Sequence, residues 1–292
     1  MKADKSIDPV ETSVLRTRDG YIDIHSHVLP GIDDGPATLE ESIVLCADLA
    51  RQNVSHVIAT PHQLNFDDHA QPALPNEKGT HANSVRLLVR QLNSELTRRG
   101  IDLTVHAGGE VRVSPDIIEA LDTGLALTLC DEHRFVLIEL PFDTTIPARG
   151  IVERLHSAGL GVILAHPERY TASQTNPGFL REWSHHQVMF QVNAGSIVGE
   201  YGRTVQKLAL ELIQSGGVHF IASDAHNATT LGRRGPQIRA AADLIRDTFG
   251  QHVVRQLLID NPRLVVPHSE PPMPKAPFSL GLASNSQVLQ SR

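Results

Sequence analysis

Seven short runs of β-forming residues alternate along the chain with stretches of helical periodicity, and this alternation restricts the fold more than any other feature. The runs lie near residues 21–27, 54–60, 103–107, 135–140, 161–165, 188–193 and 218–223. Strands separated by helices pair in parallel through right-handed crossovers. Their nearly continuous apolar character is typical of a sheet that is buried on both faces. The pattern therefore predicts an α/β fold, with a closed or distorted (β/α) barrel favoured over an open doubly wound sheet.

Helices are predicted between these strands from caps and from apolar periodicity. Thr38 and Glu41 have the spacing of a capping box, which starts a helix that runs to about residue 53. Further helices are expected near residues 81–99, 115–122, 147–159, 203–215, 236–248 and 250–259. The polar stretch 63–80 contains two prolines and a glycine, which predicts a long loop. It is either a lid over a site or a plain surface excursion.

Charge and composition limit the classes of partner. The chain has 26 Lys and Arg against 33 Asp and Glu, a formal net charge of −7, so no general basic field is available for nucleic acid or an anionic membrane. The two cysteines, Cys46 and Cys130, cannot form a disulfide framework and suit a reducing compartment. No apolar run approaches the roughly eighteen residues of a membrane span. We therefore expect a cytoplasmic protein with an N-terminal extension at 1–20, one domain at 21–266 and a disordered Pro/Ser-rich tail at 267–292.

Side chains that bind metals recur where the predicted strands end. His25 and His27 are two residues apart, so both imidazoles can point to the same side of a strand and face one ion. The other members of this set are His62, Glu110, Glu139, His166, Asp224 and His226. A single histidine after a strand is usually an ordinary structural residue. Because active sites of these folds lie at the carboxyl ends of the strands, the whole set predicts one metal centre.

The ligand types indicate which metals this centre would bind. Imidazoles and carboxylates without thiolates favour first-row divalent ions such as Mn²⁺, Fe²⁺ or Zn²⁺, and more than four ligands indicate a multinuclear site. Two neighbouring cations require a bridging carboxylate, for which Glu110 and Asp224 are the candidates. No glycine-rich nucleotide-binding sequence follows any predicted strand.

Three arginines lie close to these candidate ligands. Arg169 follows His166 by three residues, and Arg233 and Arg234 follow His226 by a few. A guanidinium group suits a pair of phosphate oxygens and does not compete for metal. The alternative for each arginine is an ordinary ion pair with a nearby carboxylate. For the adjacent pair, the sequence does not say which member points inward.

Five motifs together are specific to one family. They are DIHSHVLPGIDDG at 23–35, ATPH at 59–62, AHPERY at 165–170, QVNAGS at 191–196 and ASDAHN at 222–227. In this order they resemble the bacterial PHP-type (polymerase and histidinol phosphatase superfamily) protein-tyrosine phosphatases of capsule and exopolysaccharide operons, from about residue 21 to 265. The resemblance implies a distorted (β/α)₇ barrel with a trinuclear centre, commonly manganese-dependent, at the C-terminal ends of its strands.

The resemblance also implies a role for each matching residue. One metal would be held by His25, His27, Glu110 and Asp224, and a second by Glu110 as a bridge with Glu139 and His166. The third would be held by Asp34, His62 and His226, where Asp34 is chosen over Asp33 from its place in the first motif. Arg169 matches a phosphate-contacting arginine of the family, whereas Arg233 and Arg234 remain alternatives for another.

Function follows from the same resemblance, which implies hydrolysis of phosphotyrosine on a membrane-associated tyrosine autokinase that regulates polysaccharide synthesis. A thiol-based phosphatase loop is excluded, because positions 52 and 136, six residues after the two cysteines, are Gln and Val. The alternatives are a histidinol-phosphate phosphatase, a deacetylase or amidohydrolase of similar plan, and a non-catalytic module that binds phosphotyrosine. The sequence leaves open the native metal and whether the chain forms a homo-oligomer.

Overall fold

The structure of the protein is a computed structural model, and it describes residues 20–64, 81–142, 148–228 and 234–266. Several sequence-based predictions fall outside these ranges. They are the extension at 1–19, most of the proposed lid (65–80), Arg233 and the tail at 267–292.

The described residues contain nine short strands, all paired in parallel. They are β1 (Tyr21–Ser26), β2 (Val54–Ala59), β3 (His62–Gln63), β4 (Thr104–Ala107), β5 (Glu110–Arg112), β6 (Phe135–Glu139), β7 (Gly161–Ala165), β8 (Met189–Asn193) and β9 (Phe220–Ala222). They form one sheet of order β1-β2-β4 and a second of order β3-β5-β6-β7-β8-β9. The predicted α/β class with parallel strands is confirmed.

Two of the seven predicted strands continue beyond a break. Pro61 separates β2 from β3, and Gly108 and Gly109 separate β4 from β5. Each break moves the chain from the first sheet into the second. The last strand also returns to the first, because Asp224 N donates to His25 O (2.8 Å) just beyond the end of β9.

Helices connect the strands. They are α1 (Leu39–Arg51), α2 (Ala82–Arg98), α3 (Ile117–Thr123), α4 (Ala148–Ser157), α5 (Thr171–Thr175), α6 (Pro177–His185), α7 (Ala194–Ile197), α8 (Arg203–Gln214), α9 (Ile238–Phe249) and α10 (Gln251–Arg255), which continues as a π-helical turn at Gln256–Asp260. The predicted helices are present, with shifted ends. Helices α5 to α7 were not predicted. The five residues of α5 and the four of α7 are too few to show a clear apolar period.

The start of α1 shows how the sequence sets a helix boundary. Thr38 Oγ1 accepts from Glu41 N (3.3 Å), while Glu41 Oε2 accepts from Thr38 N (3.3 Å) and from Ala37 N (2.7 Å). These bonds satisfy backbone donors that the helix itself leaves without partners. The predicted capping box is therefore confirmed.

The strands bury side chains on both faces. Val136 and Ile138 of β6 pack with Val152 and Leu155 of α4, whereas Leu137 between them packs on the opposite face. That opposite face forms an inner core with Ile24, Ile58, Ile163, Phe220, Val265 and Val266. Burial on both faces explains the continuous apolar runs of the sequence. Among the described residues, no helix is long and apolar enough to cross a membrane.

Candidate metal centre

The site begins at the end of β1, where His25 and His27 are completely buried with their Nε2 atoms 3.4 Å apart. Asp23 lies behind them and accepts hydrogen bonds from Ser223 N (2.9 Å) and Ser223 Oγ (2.6 Å). Burial raises the pKa of Asp23 to about 6, although the bonds from Ser223 oppose this rise. Asp23 therefore ties β1 to the end of β9 and does not face the histidine pair as a ligand.

Glu110 occupies the centre of the site. Its Oε2 lies 3.4 Å from His25 Nε2, 3.5 Å from His27 Nε2 and 2.9 Å from His62 Nδ1. Its Oε1 lies 2.8 Å from His166 Nε2. One carboxylate thus faces four imidazoles from three places in the sheets, the end of β1, the start of β3 and the end of β7, which is the arrangement expected of a bridging ligand.

Asp224 closes the opposite side of the histidine pair. Its Oδ1 lies 3.6 Å from His25 Nε2 and 3.4 Å from His27 Nε2. Its Oδ2 accepts from Arg169 Nη1 (2.8 Å) and Asn193 Nδ2 (2.7 Å). The backbone of Asp224 is left-handed, with φ of 50°, a costly conformation that persists only where surrounding contacts enforce it.

A second group of ligand-type atoms lies nearer to solvent. Asp34 Oδ1 is 3.0 Å from His226 Nε2 and 3.5 Å from His62 Nε2. The rings of His226 and His27 stack with centroids 3.8 Å apart, so this group continues directly from the first. Half of the Asp34 side chain is exposed, which places this group at the open side of the site.

Glu139 and His166 form the remaining edge. Glu139 Oε1 lies 3.7 Å from His166 Nε2, and Glu139 Oε2 lies 4.0 Å from His62 Nδ1. Arg112, two residues after Glu110 on β5, donates from Nη1 to Glu139 Oε2 (3.0 Å). Arg112 was not selected from the sequence. It follows Glu110 by two residues, and side chains two apart on a strand point to the same face, which was a usable signal.

All nine predicted ligands meet in one region. Three overlapping groups have ligand atoms within 4.8 Å of one another: His27, Asp34, His62 and His226; His25, His27 and Glu110; and His62, Glu110 and Glu139. Asp224 and His166 border these groups at the distances given above. Residues up to 200 positions apart in sequence are brought together because parallel strands place all their carboxyl ends at one rim.

The chemistry of the donors fits divalent cations. His166 Nδ1 is buried without a hydrogen-bond partner among the described residues, and Glu110 Oε2 and His62 Nδ1, although 2.9 Å apart, do not have the geometry of a hydrogen bond. Buried polar atoms without such partners are costly. Burial opposes ionisation of Glu110 and Asp224, but the charge of His25 holds the pKa of both well below the usual range. Two buried carboxylates that stay ionised require neighbouring positive charge.

Supporting hydrogen bonds fix the imidazoles from behind. Asp33 Oδ2 lies 2.7 Å from His27 Nδ1, and Gln191 Oε1 lies 2.8 Å from His25 Nδ1. Gln191 Nε2 donates to Asn193 Oδ1 (2.8 Å), which links this support to Asp224. Asp33, Gln191 and Asn193 lie within the motifs that identify the family, but spacing alone did not give them a role.

The two predicted arginines that the structure describes both pair with site carboxylates. Arg169 contacts Asp224 as described above, and Arg234 Nη1 donates to Asp34 Oδ2 (2.8 Å) while its Nη2 contacts His226 Nε2. The alternative of an ion pair, raised from the sequence, is therefore what the structure contains, although the carboxylates concerned belong to the site. Arg233 lies outside the described residues.

Comparisons with known proteins identify the family of the chain. The family model described as "Capsular polysaccharide synthesis, CpsB/CapC" matches residues 21–267. The tyrosine-protein phosphatase YwqE of Bacillus subtilis is 32% identical over 259 residues, covering 87% of this chain and 96% of YwqE. The tyrosine-protein phosphatase CpsB of Streptococcus pneumoniae is 31% identical over 253 residues, covering 84% of this chain and 98% of CpsB.

A solved structure extends the similarity to three dimensions. It comes from crystal structures of YwqE from Bacillus subtilis and CpsB from Streptococcus pneumoniae, which are described as unique metal-dependent tyrosine phosphatases. It superposes with a TM-score of 0.71 at 31% identity and covers 80% of this chain and 89% of its own. The chain belongs to the CpsB/CapC family of capsular polysaccharide synthesis.

Proposed function

We propose that this chain is a metal-dependent protein-tyrosine phosphatase. The observation that carries the proposal is the convergence of nine imidazole and carboxylate side chains, with Arg169 and Arg234 among them, at one rim of the sheet. The relatives named tyrosine-protein phosphatases match the chain over nearly their whole length, which supports the same activity here.

We assign the ligands in three sets. The first is His25, His27, Glu110 and Asp224; the second is Glu110, Glu139 and His166; the third is Asp34, His62 and His226. The central position of Glu110 supports its role as the bridge. The seven strand positions, two of them split, together with the hydrogen bonds from the end of β9 to β1, favour a distorted seven-stranded barrel as the scaffold.

The donor set suits Mn²⁺, Fe²⁺ or Zn²⁺, and the resemblance to manganese-dependent phosphatases favours Mn²⁺ among them. When bound, such cations stabilise developing phosphoryl charge and make a nucleophilic water available at neutral pH. The imidazoles and carboxylates of the site would position the cations. Hydrogen bonds between His27 and Asp33 and between His25 and Gln191 restrict the rotation of the two imidazole rings.

The arginines bind and orient the substrate in this proposal. Arg169 and Arg234 lie on two sides of the ligand cluster, and each keeps part of its side chain accessible (21% and 34%). A guanidinium offers paired donors to a phosphate, so these residues would hold the phosphoryl group over the site. Burial raises the pKa of the Cys130 thiol to about 12 and that of Cys46 still further, so neither supplies a thiolate nucleophile.

The substrate is proposed to be phosphotyrosine on a protein, such as a tyrosine autokinase that controls capsule or exopolysaccharide synthesis. The family description and the names of the relatives support this choice. Action on the intracellular part of such a kinase would place this chain in the cytoplasm.

The test is phosphate release from a phosphotyrosine peptide by protein stripped with a chelator and then titrated with Mn²⁺. We expect release that depends on Mn²⁺ and falls at least about 100-fold in His166→Ala, with His185→Ala at an exposed position of α6 as the matched control. Histidinol phosphate is assayed in parallel. Faster turnover of that substrate, or metal binding without release from either, would contradict the proposal.

A further inference from the structure

Arg169 lies against two aromatic rings at the rim of the site. Its Cζ is 4.5 Å from the centroid of the Tyr201 ring and 5.1 Å from that of the Phe142 ring. Both distances are within the range of a cation–π interaction. Since its Nη1 also donates to Asp224 (2.8 Å), the guanidinium is held by one carboxylate and two rings.

The three residues come from three separate strand ends. Phe142 follows β6, Arg169 follows β7 and Tyr201 lies beyond α7, after β8. Such a contact therefore depends on the assembled fold rather than on local sequence. None of the five motifs contains Phe142 or Tyr201, and spacing gave no reason to select them.

The rings themselves have little freedom to move. A Cβ added to Gly195 would lie only 3.1 Å from Tyr201 Cε2, so the ring rests against the backbone of α7. Phe142 stacks on His166 with an interplanar angle of 12° and centroids 5.6 Å apart. Two ordered rings in contact with the guanidinium restrict its orientation and its reach.

We propose that Phe142 and Tyr201 are positioning residues that clamp Arg169 in the orientation needed to bind the phosphoryl group. This inference rests on the proposed function of Arg169 as a phosphate contact. A free arginine side chain loses considerable rotamer entropy when it binds, so a side chain that is already ordered binds phosphate more tightly. The clamp supplies this order without a direct contact between the rings and the phosphate.

Tyr201 gives the cleaner test, because Phe142 also contacts the candidate ligand His166. Tyr201→Leu removes the aromatic face, whereas Tyr201→Phe keeps it. Inorganic phosphate is the probe, with its affinity for the Mn²⁺-loaded protein measured by calorimetry and its inhibition constant measured against a phosphotyrosine peptide. We expect Tyr201→Leu to weaken phosphate binding about 3- to 30-fold, and Tyr201→Phe to stay within about twofold of the native protein.

The same substitutions in an Arg169→Ala background separate positioning from direct contact. If the ring acts through Arg169, Tyr201→Leu should change phosphate affinity less than about twofold in that background. An undiminished effect there, or no effect in the native background, would overturn the proposal. Urea unfolding of Tyr201→Leu, compared with that of Tyr201→Phe, guards against misfolding of the leucine variant.

Phe135→Leu is the matched control. Arg134 lies 5.4 Å from the Phe135 ring at the start of β6, at the opposite end of that strand from the site, so this variant should leave phosphate affinity unchanged. The calorimetric measurement also keeps the two proposals distinguishable. If the native protein releases no phosphate from phosphotyrosine, the proposed function fails, while the dependence of phosphate binding on Tyr201 still tests the clamp.

Discussion

Two hydrogen bonds behind the site determine which nitrogen of each β1 histidine faces it. An ionised Asp33 can only accept, so His27 Nδ1, 2.7 Å away, carries a proton and Nε2 is the nitrogen that faces the site. Gln191 Oε1, 2.8 Å from His25 Nδ1, acts in the same way. These bonds keep a proton on each Nδ1, so Nε2 is the nitrogen that gives up its proton when a cation binds, and metal affinity depends on such support.

Asp33→Asn tests this support at the scale of one atom. The native carboxylate accepts from His27 and His62 N through Oδ2 and from Gly35 N through Oδ1. The amide NH₂ of asparagine cannot accept a hydrogen bond, so the donors to one of the two carboxylate oxygens lose their acceptor. We expect Mn²⁺ affinity, measured by competition with a chelating dye, to fall about 10- to 100-fold. Asp243→Asn, at an exposed position of α9, is the control. Equal Mn²⁺ affinities in the two variants would refute a supporting role for Asp33.

The sequence was enough to find ligand-type residues at strand ends, but not to choose between two adjacent candidates. It located Glu110 and Asp224 because each follows an apolar run, but only the family motif could rank Asp34 above Asp33. In the structure Asp33 Oδ2 lies 2.7 Å from His27 Nδ1, whereas Asp34 Oδ1 lies 3.9 Å from the same nitrogen and 3.0 Å from His226 Nε2. The left-handed φ of His166 (33°) and Asp224 was also beyond prediction, because tertiary contacts enforce it.

At the scale of elements, the break between β4 and β5 positions the central carboxylate. Gly109 precedes Glu110, and a Cβ at Gly109 would lie 1.9 Å from Gln63 Oε1. That oxygen accepts from Leu127 N (2.8 Å), and Gln63 is completely buried. The absent side chain at Gly109 therefore lets three segments meet directly behind Glu110.

Gly109→Ala should displace Gln63 and leave Leu127 N without its partner. We expect a loss of about 1–3 kcal/mol in the free energy of unfolding, measured with urea, together with weaker Mn²⁺ binding. Gly150→Ala in α4 is the matched control, because its added Cβ meets nothing within 4 Å, and it should stabilise by about 0.5–1 kcal/mol. Equal stability of the two alanine variants would show that the close approach is unimportant.

Element prediction succeeded where a boundary has its own local chemistry. The capping box of α1 and the long amphipathic faces of α2 and α8 are readable without tertiary contacts. Helix α6 begins with Asn176, whose Oδ1 accepts from Gly178 N (2.9 Å), followed by Pro177. This start signal is readable from the sequence, and α6 is longer than α3, which was predicted.

At the scale of the whole molecule, titratable groups also lie away from the site. His106 on β4 is partly buried next to His56 (3.1 Å between ring nitrogens), and His219 precedes β9. Burial lowers the pKa of both His106 and His219 to about 4, with the neighbouring His56 as a smaller cause for His106. These histidines therefore remain neutral in the folded protein at pH values where the unfolded chain protonates them.

The sign of the resulting pH dependence follows from proton binding. Between the unfolded pKa of 6.5 and the folded value of about 4, the unfolded chain binds more protons at His219, so stability decreases as pH falls through this window. His219 Nδ1 accepts from Phe190 N (3.1 Å), a bond that the protonated ring cannot make. For this residue alone, the free energy of unfolding falls by roughly 2 kcal/mol between pH 7.5 and pH 5.

His219→Gln should remove this contribution to the pH dependence while keeping an acceptor near Phe190. Between pH 7.5 and pH 5, we expect the free energy of unfolding, measured with urea, to fall by roughly 2 kcal/mol more in the native protein than in the variant. Comparing the two proteins at each pH cancels the titration of the site histidines, which both share. His252→Gln, at an exposed position of α10, should follow the native curve. A variant that loses as much stability as the native protein would show that the histidine before β9 does not govern acid sensitivity.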